Sequence, residues 1–393
     1  MTNFACMRQA VLILETGQTY RGIGFGASGA SYGELVFNTS MTGYVESLTD
    51  PSYAGQILIF SYPLIGNYGV SSTWFESEQV HPVGVVVHEF CTHPHHRQSE
   101  IDLNSFLTRF GKLGIAGVDT RALVKLIRQT GTLPAVLLVG EEDESLNTAI
   151  TFEAALAKVN NRDEVGFWDW PSKVARKTVE YFVWRQKQLV QISETELGSL
   201  ANLKRVGILD YGVKANIIRE VAKRGALAVV LPPTITFTEL LAYNLSGLVI
   251  SNGPGDPRDY KTAHHLLQQV LDYVFTINPN FPVFGICLGH QLLAQVIGAN
   301  IYKMTFGNRG VNQPVLNMLT KNSFLTSQNH SYAVDLNTLP TGWQPWFINL
   351  NDQSAEGLRH TSRPIFSVQF HPEACGGPQD TNWLFEEFFK FIS

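Results

Sequence analysis

Cysteine is scarce in this chain of 393 residues, and its four copies, Cys6, Cys91, Cys287 and Cys375, lie far apart with no C-x-x-C among them. That spacing argues against a disulfide framework or a zinc ribbon and suits a reducing compartment. Charge is thin as well: charged residues make up 16% and the net charge is −5. Neither a nucleic-acid footprint nor a basic membrane patch is expected. No apolar run approaches the roughly 20 residues that a membrane helix needs. The early run Ala10-Val-Leu-Ile-Leu14 is too short for a secretory signal and stops at Glu15. A G-x-x-x-x-G-K-S/T phosphate loop is missing too, so ATP chemistry is not expected here. The chain is expected to be soluble and cytoplasmic, with no metal or cofactor of its own.

Against these absences one run stands out, Val283-Phe-Gly-Ile-Cys-Leu-Gly-His-Gln-Leu-Leu293. An apolar strand leads into Cys287 and then directly into an apolar helical pattern, with Gly285 two residues before the cysteine and Gly289 two after. This is the thiol form of the nucleophile elbow, G-x-C-x-G. A nucleophile on a sharp strand-to-helix turn takes a strained backbone, and flanking side chains would collide with the neighbouring strand and helix. The turn also sets the sulfur at a helix N-terminus, where free N–H groups favour thiolate. A buried structural cysteine is the alternative.

A second motif supplies what a thiol lacks. Ile365-Phe-Ser-Val-Gln-Phe-His371-Pro-Glu373 reads as a β-branched and aromatic strand ending in His-Pro-Glu. In extended chain positions 371 and 373 point the same way, and Pro372 biases His371 towards that conformation. A carboxylate beside an imidazole can fix its tautomer and stabilise the imidazolium, as in a nucleophile–base–acid triad. An exposed turn with a solvated Glu is the alternative for an isolated H-P-E.

Taken together, G-I-C-L-G-H-Q-L-L-A and F-H-P-E-A resemble the class I (triad) glutamine amidotransferase domain. Leu248-Val-Ile-Ser-Asn-Gly253-Pro-Gly255-Asp-Pro257 agrees: a buried strand ending in a glycine-rich turn. In that family such a turn gives one oxyanion-hole N–H and the residue after the cysteine, here Leu288, gives the other. Removing one donor of this kind costs about 3–4 kcal/mol.

Strand and helix signals divide the chain. Residues 1–150 are strand-rich: Ala10–Leu14, Thr19–Phe25, Glu34–Phe37, Gln56–Phe60 and Val83–Val87, with one clear helix capped by Asp119 and stopped by Gly131. Leu123, Leu126 and Ile127 line one face of that helix. Residues 151–203 are polar and irregular and read as a weakly helical connector. Over 204–393 strands and helices alternate: 206–209, helix 214–224, 228–231, 247–251, helix 260–276, 282–286, helix 288–297. The expected fold is α/β: a C-terminal, mostly parallel sheet flanked by helices, preceded by a strand-rich α+β domain. The elbow then falls at the carboxyl end of a central strand, where open α/β sheets place their sites.

Two patterns are read as decoys. Gly24-Phe-Gly26-Ala-Ser-Gly29 matches G-x-G-x-x-G, but turn and strand follow it where the dinucleotide fingerprint requires a helix. His88, Cys91, His93, His95 and His96 have the composition of a metal site, yet adjacent histidines on a strand point to opposite faces, and a solvated loop is expected.

The N-terminal half separates one amidotransferase family from others. Phe37-Asn-Thr-Ser-Met-Thr-Gly-Tyr-Val-Glu-Ser-Leu-Thr-Asp-Pro-Ser-Tyr53 resembles the signature of carbamoyl-phosphate synthase small subunits, as do Ile115–Leu123 and Asp210-Tyr-Gly-Val-Lys-Ala-Asn216. The resemblance implies Cys287 as nucleophile, His371 as base and Glu373 as its orienting acid. It implies L-glutamine contacts at Ser52, Gly253, Gly255, Leu288, Gln291, Asn329, Ser331 and Tyr332. Where the family shows Gly-Phe after Asn-His, this chain has Ser331-Tyr332, tolerable if φ at 331 is not positive. The implied activity is glutamine hydrolysis through a γ-glutamyl thioester, with ammonia passed to a large subunit. That partner would hold the ATP, Mg and bicarbonate chemistry of carbamoyl phosphate synthesis, feeding the arginine and pyrimidine pathways. The alternatives are an amidotransferase subunit of another synthase and a stand-alone cysteine γ-glutamyl hydrolase.

Overall fold

The structure is a computed structural model that describes residues 8–141, 150–158, 170–374 and 376–392, with side chains given from residue 172 in the stretch that starts at 170. Cys6, Cys375 and parts of the expected connector lie outside those residues. The chain divides into two compact units, Met1–Trp168 and Asp169–Ser393. Among the described residues no helix is long and apolar enough to cross a membrane.

In the first unit seven strands close into a barrel. Their order is Gln9–Leu14, Thr19–Gly26, Leu113–Ala116, Gly84–Val86, Gln56–Phe60, Gly29–Asn38 and Leu133–Val139, the last pairing back onto the first. Alternating apolar residues such as Val36, Leu58 and Val85 pack outward beneath the helices, with Tyr44, Leu48 and Phe106. The helix expected after Asp119 is Thr120–Thr130, with the Asp119 carboxylate accepting from Ala122 N–H at 2.9 Å and Gly131 as its C-cap. Leu123 and Ile127 are buried, as the spacing requires. The Phe37–Tyr53 signature covers a strand end, the helix Tyr44–Thr49 and the 3-10 turn Pro51–Tyr53, and Asn38 Nδ2 donates across it to Tyr53 Oη at 2.9 Å. Strand Gly29–Asn38 follows the G-x-G-x-x-G run directly, with no intervening helix.

The second unit is built on an eleven-stranded sheet. Five strands form its parallel centre, in the order Leu227–Leu231, Arg205–Leu209, Gly247–Ile250, Val283–Ile286 and Ile365–Val368. Antiparallel strands extend it on both sides. On one side these are Ala355–His360, Trp343–Asn349, Ile301–Asn317 and Ser323–Val334. On the other side lies a hairpin, Glu180–Arg185 and Gln188–Ile192, whose first strand pairs with Leu227–Leu231. This hairpin corrects the reading of 151–203 as a weakly helical connector. Tyr181, Val183 and Ile192 pack into one core and Phe182 into the other, and two short strands of six and five residues without polar alternation carry no clear period to stand out in a polar stretch.

Side chains of the central strands alternate between two cores. Leu248, Ile250 and Val283 face the helices Lys261–Thr276 and Leu288–Val296. Val249, Phe284 and Ile286 face the helices Ala215–Lys223 and Trp383–Phe389. Helices cover both faces, so the unit's ligand crevice must open at the strand ends.

Candidate active site

Four of the parallel strands bring their carboxyl ends together, at Asp210, Ser251, Cys287 and Gln369. Hydrogen bonds fix these ends to one another. Cys287 N–H donates to Val368 O at 2.8 Å, Gly289 N–H to Ser251 O at 3.0 Å, and Tyr211 N–H to Ser251 Oγ at 3.0 Å.

Cys287 caps the helix Leu288–Val296 with φ 54° and ψ −103°, a left-handed conformation for a residue that carries a Cβ. Such backbone costs on the order of 1–3 kcal/mol and persists only where its surroundings hold it. The flanking glycines hold it by close approach, since neither has a positive φ. A Cβ on Gly285 would stand 2.7 Å from Gly289 O, and one on Gly289 would run into the Ile250 carbonyl oxygen. The elbow is therefore a strained cysteine between two contacts that only glycine permits. Its thiol, 3% exposed as a residue, donates to Asn329 O at 3.6 Å.

His371 and Glu373 are fully packed against this turn, with His371 Nδ1 2.6 Å from Glu373 Oε1. They meet by a route that differs from the extended one expected. The strand ends at Val368, His371 N–H donates to Ser327 O at 2.9 Å, and residues 372–373 form a turn closed by Ala374 N–H to His371 O at 3.2 Å. Pro372, with φ fixed and no N–H to satisfy, suits that turn as well as it would a strand. Burial works against a charged imidazole, but the Glu373 carboxylate overrides it and raises His371 to about 10, with Cys287 adding to the rise and Lys214 opposing it. In the same way, burial that would raise Glu373 is outweighed by His371 and Lys214, which hold it down to about 2. At neutral pH the proton sits on the imidazole. One ring nitrogen, Nδ1, is committed to the carboxylate, and the ring's hydrogen bond to the Cys287 side chain also favours its protonated form.

Glycine spacing also shapes the turn Ser251–Pro257. A Cβ on Gly253 would meet the Tyr211 carbonyl and, at 2.7 Å, Leu288 Cδ2, while Gly255 takes φ 85°. Gly253 and Leu288 are thus neighbours. Gln291, on the first turn of the elbow helix, donates from Nε2 to Tyr332 O at 3.0 Å. Asn329, Ser331 and Tyr332 follow one another on Ser323–Val334. Ser331 φ is not positive, so the serine is tolerated, and its Oγ accepts from the buried Arg309 guanidinium. Tyr332 has gained partners on the glycine turn: its hydroxyl hydrogen-bonds the Asp256 carboxylate, and the Arg258 guanidinium carbon lies 5.7 Å from its ring centre. Ser52 is in the N-terminal unit, where its N–H is held by Asp50 Oδ1 at 2.9 Å.

Sequence reading missed several residues around the triad. Lys214 Nζ forms a buried ion pair with Glu373 Oε1 at 3.2 Å, and Asn216 Nδ2 donates to the Glu373 carbonyl. Both come from Asp210–Asn216, whose loop is shaped by Asp210 Oδ1 accepting from Gly212 and Val213 N–H at 2.9 and 2.8 Å. The signal available was a lysine in an otherwise apolar helix start. In the first unit the histidine-rich segment is a loop apart from the two-residue strand Glu89–Phe90; His88 Nδ1 donates to Val118 O at 3.2 Å and the His96 ring lies 5.4 Å from that of Trp74, tilted by 59°. Among the described residues no group of three or more His, Cys, Asp or Glu could hold a metal.

This architecture has known relatives. Residues 207–391 match the family Glutamine amidotransferase class-I, so the second unit is an amidotransferase of that class. Residues 12–137 match the carbamoyl-phosphate synthase small chain, CPSase domain. A carbamoyl phosphate synthase small chain of Fusobacterium nucleatum is 42% identical over 383 residues, covering 97% of both chains. Another, from Methanosarcina acetivorans, is 42% identical over 378 residues and 96% of both. The chain belongs to the carbamoyl-phosphate synthase small chain family. The multifunctional protein pyrABCN of Emericella nidulans is 42% identical over 400 residues, covering 98% of this chain and 17% of that protein.

Proposed function

We propose that this chain is the glutaminase subunit of carbamoyl-phosphate synthase and works in the cytoplasm. The observation that carries the reading is the buried His371–Glu373 pair set beside a strained cysteine at the ends of the parallel strands. Cys287 thiolate attacks the side-chain amide carbon of L-glutamine. The oxygen of the tetrahedral intermediate takes N–H bonds from Leu288 and the Gly253 turn, donors already in place when the charge develops. His371 gives its proton to the departing nitrogen, ammonia leaves, and a γ-glutamyl thioester remains. Water, deprotonated by His371, then adds to the thioester; the C–S bond breaks and glutamate departs. Gln291, Asn329, Ser331 and Tyr332, with Gly253 and Gly255, would bind the glutamine backbone groups.

Ammonia is the useful product, and it needs a consumer. The partner is the large subunit, with ATP, Mg and bicarbonate bound there. A segment similar to 98% of this chain makes up 17% of a multifunctional relative, which supports a working association with a larger partner. The test is Cys287→Ser. Glutamine hydrolysis disappears, while the complex with the large subunit still makes carbamoyl phosphate from added ammonium. Retained glutaminase activity in that variant would remove Cys287 from the mechanism.

A further inference from the structure

Gln369 lies between the last parallel strand and His371, is fully buried, and has no part in the steps above. Its main chain is fixed by its N–H, which donates to Glu356 O at 2.9 Å. Its side-chain amide is fixed from both ends. Oε1 accepts from Gln291 Nε2 at 3.0 Å, and Nε2 points at Cys287 Sγ at 3.7 Å.

Which end is oxygen and which nitrogen follows from the neighbours rather than from the shape of the amide. The Tyr332 carbonyl can only accept, so the Gln291 atom 3.0 Å from it must be nitrogen. That nitrogen has two hydrogens. One goes to Tyr332 O, and the other is directed at Gln369. The Gln369 atom receiving it is therefore oxygen, and the atom facing the sulfur is the NH2 group. A backbone carbonyl orients the thiol's neighbour through two glutamines.

We infer that Gln369 is a further catalytic residue, an N–H donor to the Cys287 sulfur in the states where that sulfur carries negative charge. The inference rests on the proposed role of Cys287 as nucleophile. The sulfur is negative before attack and again when the thioester C–S bond breaks with its electron pair going to sulfur. Within the thioester it is a poor acceptor. A donor fixed on the sulfur therefore favours the thiolate as nucleophile and as leaving group, at a buried position where few solvent donors compete. By the same chain of bonds Gln369 turns the Gln291 carbonyl oxygen away from itself, leaving that oxygen to accept from the α-ammonium of glutamine.

Two substitutions separate these roles. Gln369→Glu keeps an acceptor for Gln291 but replaces the N–H by oxygen. Gln369→Met loses both. Each is followed by the pH dependence of inactivation by iodoacetamide and by steady-state glutaminase kinetics in the complex with the large subunit. For Gln369→Glu the midpoint of the alkylation profile moves up by about one pH unit and kcat falls roughly tenfold, with KM within about twofold. Gln369→Met shows the same upward movement together with a raised KM. Should the Glu variant fail to fold by circular dichroism, the neutral Met variant carries the comparison. Alkylation profiles and kcat within about twofold of wild type in a folded variant overturn the inference and leave the function intact. If alkylating the wild-type protein at Cys287 leaves glutaminase activity untouched, the nucleophile itself is misassigned and both fall.

Discussion

Lys214 Nζ stands 3.2 Å from Glu373 Oε1, the same oxygen that lies 2.6 Å from His371 Nδ1. Two cations share one buried carboxylate oxygen, and each weakens the other's hold on its proton. Lys214→Met therefore leaves Glu373 to His371 alone. The imidazole keeps its proton to higher pH, and its NMR titration, followed on a ring-labelled sample, moves upward by about one unit. Lys214→Arg leaves the titration near that of wild type. A downward movement in the Met variant would contradict this account.

Within the triad, Glu373→Gln costs less glutaminase activity than His371→Asn. The carboxylate orients and stabilises a ring that moves the protons itself. Groups acting as one unit lose activity non-additively. The double variant His371→Asn with Glu373→Gln is accordingly little slower than His371→Asn alone, and a further drop of more than about tenfold would give Glu373 a task outside the triad.

Stability should fall on both sides of neutrality, for identifiable reasons. Burial lowers His81 and His330 to about 4 and His290 to about 3. The unfolded chain takes up these protons near pH 6.5 and the folded chain does not, so stability is lost as pH falls from about 6.5 through about 3. Glu356 has the opposite effect, since burial raises it to about 8. The folded chain keeps this proton after the unfolded chain has lost it, and stability is lost as pH rises from about 4.5 through about 8. Glu356→Gln retains the acceptor for Asn349 Nδ2, now 3.1 Å away, and removes the alkaline loss. Thermal melts at pH 7 and pH 8.5, above the window in which the buried histidines matter, check this: wild type loses stability between them, and the variant loses less.

Gly289→Ala tests the elbow without touching a reactive group. The added methyl meets the Ile250 carbonyl oxygen, which cannot withdraw without breaking the sheet. Chemical denaturation should show a loss of about 1–3 kcal/mol, and glutaminase activity should vanish although Cys287, His371 and Glu373 remain. Gly198→Ala, where a Cβ meets nothing within 4 Å, is the control that leaves both unchanged.

A glutaminase without a consumer wastes its substrate, so the isolated chain should turn over slowly and the large subunit should accelerate it. Steady-state kcat/KM for glutamine, measured with and without that subunit, ATP and bicarbonate, reads the coupling. Equal values in all conditions favour a stand-alone γ-glutamyl hydrolase.

Local signals carried the second unit's centre. The elements read over 205–296 have bounds within a residue or two of the pattern, because each is apolar on its buried face, and Gly285 and Gly289 mark the elbow by identity; the short helix Phe237–Ala242, which buries only Leu240, was not read. What escaped was set by tertiary neighbours. Lys214 and Gln369 sit in runs whose periodicity speaks of core, and only the meeting of separate strand ends gives them polar partners. The hairpin 180–192 was hidden because its pairing partner, Leu227–Leu231, is distant in sequence and its own residues are buried on both faces, which leaves no alternation to read. Strands Leu113–Ala116 and Leu133–Val139 were passed over because each is a short continuous apolar run, which period alone cannot assign.

The closed barrel of the N-terminal unit has a consequence of its own. Because Leu133–Val139 pairs back onto Gln9–Leu14, the ring leaves no row of unpaired backbone groups. It offers no template on which a foreign strand could add, whether from a neighbour in a crowded cell or from a misfolded copy. The open sheet does have two such margins, Gln188–Ile192 and Ser323–Val334. Among the described residues, and apart from the two-residue pair Leu64–Ile65 and Glu89–Phe90, growth of this protein by strand addition, and any tag or fusion designed to avoid it, is decided at those two edges.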